Sequence, residues 1–132
     1  SFGMGGVSRP SQLYALELFN ENRIELARKA IPEFYDDQRD RYGKSFLDLG
    51  LELFSGSGGF YHWCKLSGEL TAAEFNKKLF TQGAAILKGT DCDMHRLEDN
   101  SHLKQFFRFS FGPLLPDSYD SDIEIMNNAL NK

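Results

Sequence analysis

Six consecutive residues, Phe106-Phe107-Arg108-Phe109-Ser110-Phe111, restrict this chain more than any other feature. Aromatic side chains favour strands, and Gly112-Pro113 directly after them stops one. Strand side chains alternate between faces, so Phe107, Phe109 and Phe111 are predicted to form one aromatic surface fit to pack on helices. Phe106, Arg108 and Ser110 then point the other way. A guanidinium between aromatic residues in mid-sheet is costly without an anionic partner, and its planar fork suits a carboxylate. Two plainer readings stay open: an internal salt bridge to one of the 19 acidic residues, or an exposed arginine on the wet face of a one-sided sheet.

The rest of the 132 residues is read around that strand. Pro10 and Ser11 mark a helix start, with Ser11 the capping candidate, and apolar residues recur at helical spacing from Leu13 to Ala27. Pro32 is expected to end or kink that run, which resumes through Phe34, Tyr42, Phe46 and Leu49 to Gly50. The result over 11–49 is one long, broken helix or two successive helices. Ser55-Gly56-Ser57-Gly58-Gly59 reads as a flexible turn, and Phe60 to Leu66 as a second aromatic strand. Thr71 and Glu74 form a capping box for a helix carrying Phe75, Leu79 and Phe80, closed by Gly83. Ala84 to Leu87 reads as a short strand, 89–104 as a polar loop, and the end as a helix carrying Ile123, Met126, Ala129 and Leu130. A strand–helix–strand unit favours a right-handed crossover with its strands parallel, and the 106–111 strand can pair antiparallel between them. The expected fold is α+β: an N-terminal long or broken helix, then a β-α-β-β-α unit with a small mixed sheet and helices on one face.

Composition excludes several classes. Net charge is -4, and basic residues are interleaved with acidic ones, as in Asp36 to Arg41, so a nucleic-acid footprint is absent. No apolar run reaches membrane-span length, so no membrane partner is expected. Two cysteines, Cys64 and Cys92, make no disulfide framework and fit reduced thiols in the cytoplasm. The opening Ser1-Phe2-Gly3-Met4-Gly5-Gly6 suggests a boundary inside a longer chain.

Other candidate sites read more plainly. Gly43-Lys44-Ser45 is the tail of a phosphate-binding loop only if glycine stands where Gln38 does. Asp91-Cys92-Asp93-Met94-His95, with His102, has metal-capable atoms but lacks defined four-ligand spacing, so no metal is expected. His62 and Cys64 share a strand face, as a base and nucleophile would, yet both fit a core or an interface as well. Gly56 to Gly59 could approach a phosphate through backbone N–H groups, or simply form the turn.

Gly58-Gly59-Phe60-Tyr61-His62-Trp63, then Thr71 to Phe75 leading to Gly83-Ala84-Ala85-Ile86-Leu87-Lys88-Gly89, then Phe107 to Phe111, together resemble the small, C-terminal domain of fold-type I, class I/II aminotransferases, which depend on pyridoxal 5'-phosphate (PLP). The stretch from Ser8 through the long helix is similar to the family's link between large and small domains. The resemblance implies that residues 1–10 belong to a linker from a large domain and 11–132 to the small domain. It implies that Arg108 binds the α-carboxylate of an amino acid or 2-oxo acid, with the intact enzyme a homodimer. It also implies that the PLP lysine lies upstream. None of Lys29, Lys44, Lys65, Lys77, Lys78, Lys88, Lys104 or Lys132 stands in a matching motif, so this chain alone holds no catalytic or cofactor-binding residue and is expected to be inactive. Lys88-Gly89 departs from the family's frequent Pro-Gly, and 90–104 is longer and more polar than usual there. The rival reading is a non-catalytic α+β module that binds an amino acid or mediates association.

Overall fold

The computed structural model describes Gly6, residues 8–95 and residues 100–131. Helix α1 (Arg9–Leu16) starts one turn earlier than the sequence suggests. Its cap is Ser8, whose hydroxyl accepts from the Ser11 N–H, so Ser11 is the capped residue rather than the cap. Helix α2 (Glu21–Asp48) contains Pro32 inside it. The interruption expected at Pro32 lies instead at 17–20, where Asn20 Oδ1 accepts from the Asn22 N–H and Asn20 O accepts from Ile24 N–H. Asparagine competes with the helix for backbone partners and so caps it.

The chain divides into two compact units between Phe34 and Tyr35. No residue of α1 is buried, and every buried residue of α2 lies from Gln38 onward. The first unit therefore leaves Leu13, Tyr14, Phe19 and Leu26 exposed.

The second unit holds the core. Strands β1 (Glu52–Leu53), β2 (Tyr61–Lys65), β3 (Leu87–Lys88) and β4 (Phe106–Ser110) form one sheet in the order β1-β2-β4-β3. Every hydrogen-bonded pair is antiparallel, so the sheet is antiparallel rather than the mixed sheet expected from sequence; β2 and β3 do run parallel, with β4 antiparallel between them. Strand β1 is an addition, made by Glu52 and Leu53 folding back on Lys65 and Cys64. Strand β3 is shorter and later than 84–87. Helix α3 (Ala72–Phe80) has the reciprocal Thr71–Glu74 capping box, and Gly83 follows it at φ 78°, a left-handed backbone that favours glycine. Phe75 and Leu79 are buried, but Phe80 faces solvent. A 3-10 turn (Pro116–Ser118) leads into α4 (Tyr119–Asn131), whose Met126 and Ala129 are buried.

All helices of this unit cover one face of the sheet, as expected for an α+β fold. Phe107 and Phe111 are fully buried, and Phe109 packs with them against Tyr42 and Phe46 of α2 and Phe75 of α3. Hydrogen bonds from Tyr42 and Ser118 to Asp122 tie α2 to α4 inside this layer. Burial, and secondly the Asp122 carboxylate, hold the Tyr42 phenol well above its ordinary range.

Candidate functional site

Strand β4 is central, flanked by β2 and β3, and it fixes Arg108 between two neighbours: Trp63 on β2 and Leu87 on β3 stand directly opposite it. Directly opposed residues share a face. Arg108 therefore lies on the face away from the helices, as alternation predicts, with Tyr61, Trp63 and Phe106. Trp63 stacks on Phe106 at 5.9 Å and Phe54 leans on Phe106 at 5.5 Å. Phe54 and Tyr61 are 55% and 41% exposed, so among the described residues nothing covers this aromatic face.

The guanidinium of Arg108 lies over the Tyr61 ring, 5.3 Å from its centroid. Its Nε is buried and has no hydrogen-bond partner. Among the described residues no carboxylate pairs with it, although Lys65 pairs with Glu52, Lys88 with Asp91 and Arg39 with Asp36. The internal salt bridge is thus not found among those residues. An open cleft of about 480 Å³ runs along residues 83–87, Arg108 to Ser110 and the Ile125–Met126 face of α4. A second hollow, of about 350 Å³, lies against Tyr61, Trp63 and the glycine turn at 55–59.

The other sequence candidates separate. His62 and Cys64 are both buried on the core face. His62 Nε2 lies 2.9 Å from the Arg39 carbonyl, which can only accept, so Nε2 carries the proton and Nδ1 accepts from Ser55 at 2.7 Å. Burial holds the imidazole below its usual value and the Cys64 thiol well above its own. Both side chains are closed off from solvent and serve the core here. Gly43-Lys44-Ser45 lies within α2, where it cannot cradle a phosphate; a Cβ on Gly43 would sit 3.3 Å from the His62 ring, so this glycine lets α2 approach β2. Gly89 to Cys92 form a 3-10 turn. Asp93 is buried, accepting from Ser101 Oγ and the His95 N–H, and these bonds lower its carboxyl below the usual range. Among the described residues no three His, Cys, Asp or Glu are placed to hold a metal ion, and no helix is long and apolar enough to cross a membrane.

The described residues do not fit PLP. A Schiff-base lysine needs to be desolvated beside an acid and a phosphate cup. Lys29, Lys44, Lys77 and Lys104 are exposed, Lys78 is half-buried, Lys65 and Lys88 are engaged in ion pairs, and Lys132 lies outside the described residues. Sequence reasoning missed the Tyr61 contact; its signal was the two-residue spacing to Trp63, legible only once the β2–β4 register is known.

No family model and no curated protein matches this sequence. In fold, the chain is similar to part of an aminotransferase. One solved structure that it matches is a kynurenine aminotransferase of Pyrococcus horikoshii in complex with PMP; the match has a TM-score of 0.63 at 19% identity and covers 74% of this chain. It spans 24% of that enzyme's chain, which accords with the small-domain resemblance in the sequence.

Proposed function

We propose that this chain is the substrate-clamping, C-terminal domain of a PLP-dependent aminotransferase, in which Arg108 holds the α-carboxylate of the amino acid or 2-oxo acid. The observation that carries this is an arginine on the central strand, on the open aromatic face, with no carboxylate partner among the described residues. Such a placement leaves the terminal N–H groups of a planar fork open to a substrate carboxylate. A bidentate hold fixes the α-carbon for proton transfer, while PLP, bound by an upstream domain, supplies the electron sink. Residues 1–10 are the linker from that domain and 11–132 the clamp. The intact enzyme is a homodimer, its setting is cytoplasmic, and the isolated chain is inactive.

The test is kinetic, on the protein that carries this chain. Arg108→Lys keeps the charge but not the fork. It should lower kcat/KM for both amino acid and 2-oxo acid on the order of 100-fold, the equivalent of about 3 kcal/mol of charge-assisted hydrogen bonding. Unchanged kcat/KM would leave the amino-acid-binding or association module as the better account.

A further inference from the structure

Resting on that reading of Arg108, the geometry points to Tyr61 as the residue that positions it: we propose that the Tyr61 ring holds the guanidinium face-on so that its terminal N–H groups stay free for a ligand. Tyr61 and Arg108 come from adjacent strands, β2 and β4, whose register places Tyr61 opposite Ser110 and Trp63 opposite Arg108. Arg108 therefore reaches diagonally along the sheet to lie over the Tyr61 ring, 5.3 Å from its centroid. Diagonal neighbours of this kind are within reach of long and aromatic side chains.

The distinction from an ion pair is chemical. A carboxylate would also fix Arg108, but it would occupy the donors that a substrate needs. A ring attracts the cation through the guanidinium face and leaves the in-plane N–H groups unspent. Arg39 shows the alternative within this chain: Asp36 takes its Nη1, and the Gly59 carbonyl accepts from its Nη2. Arg108 has no such engagement among the described residues. Its buried Nε closes the side edge of the fork, so an incoming carboxylate meets the two terminal nitrogens end-on. Tyr61 is 41% exposed on a strand face without helices, so changing it leaves the core untouched.

The experiment is NMR on the full 132-residue chain with ¹⁵N-labelled arginine, comparing wild type, Tyr61→Phe and Tyr61→Leu. The first readout needs no ligand: the heteronuclear NOE of the Arg108 Nε–H. It should report a rigid side chain in wild type and Tyr61→Phe and a mobile one in Tyr61→Leu, with thermal midpoints alike. The second is titration with pyruvate, whose apparent affinity should fall about threefold to tenfold in Tyr61→Leu and stay unchanged in Tyr61→Phe. An Arg108 equally rigid in Tyr61→Leu overturns the positioning role and leaves the clamp standing. An Arg108→Lys variant that takes pyruvate as wild type does overturns the clamp itself, and with it any purpose for the hold.

Discussion

His62 is the most informative single residue outside the proposed site. It sits 2% exposed between the Arg39 carbonyl and the Ser55 hydroxyl, joining α2 to the glycine turn. Because burial lowers its pKa from 6.5, the unfolded chain takes up a proton that the folded chain resists. Stability is then fully present above about pH 6.5 and falls as pH drops from there toward the lowered folded value. Urea midpoints at pH 7.5 and 5.5 should show this fall in wild type and a smaller one in His62→Gln; equal slopes would contradict it. Gly89 makes a sharper steric prediction. A Cβ there would lie 2.5 Å from the Leu103 carbonyl oxygen and 2.7 Å from that of Phe106, both backbone and unable to yield cheaply. Gly89→Ala should destabilise by about 2–3 kcal/mol in denaturant unfolding. That contact explains physically why a glycine closes the Leu87–Lys88 strand, whatever precedes it.

At the scale of elements, the second unit's β2, α3, β4 and α4 were legible because local chemistry and packing agree in them. The capping box at Thr71 and Glu74, the alternating phenylalanines of β4 and the apolar face of α4 all point to the structure observed. Thr71→Ala should cost about 1 kcal/mol in thermal or urea unfolding, since it removes one hydroxyl that serves the Glu74 N–H. The failures occur where one rule was pressed alone. Pro32 lies inside α2 because a proline penalty of about 3 kcal/mol is local, and the helix continues on both sides. Strand β3 shrank to Leu87–Lys88, while the Ala84 N–H caps the end of α3 by bonding to the Leu79 carbonyl. The candidate site was legible in part: alternation located Arg108 on the open face, but Tyr61 and the buried Nε depend on register, which a single sequence leaves unspecified.

The whole molecule divides unevenly. Among the described residues every buried one lies from Gln38 onward, so the core belongs to the unit that starts at Tyr35. A chain comprising residues 35–132 should therefore unfold cooperatively, with a midpoint within about 5 °C of the full chain. Residues 9–34, by contrast, expose leucine, tyrosine and phenylalanine side chains that a larger assembly is proposed to cover. The same division bears on chemistry. Among the described residues an arginine without a carboxylate partner and lysines held in ion pairs or exposed are what the proposed clamp domain calls for. The most direct test is the intact mass of the native protein in its source cells, with borohydride reduction and peptide mapping. The account predicts a subunit several-fold heavier than 15.0 kDa, with PLP fixed to a lysine upstream of Ser1 and on none of this chain's own lysines. A native chain that starts at Ser1, or a saturable PLP adduct on one of those lysines, would contradict it.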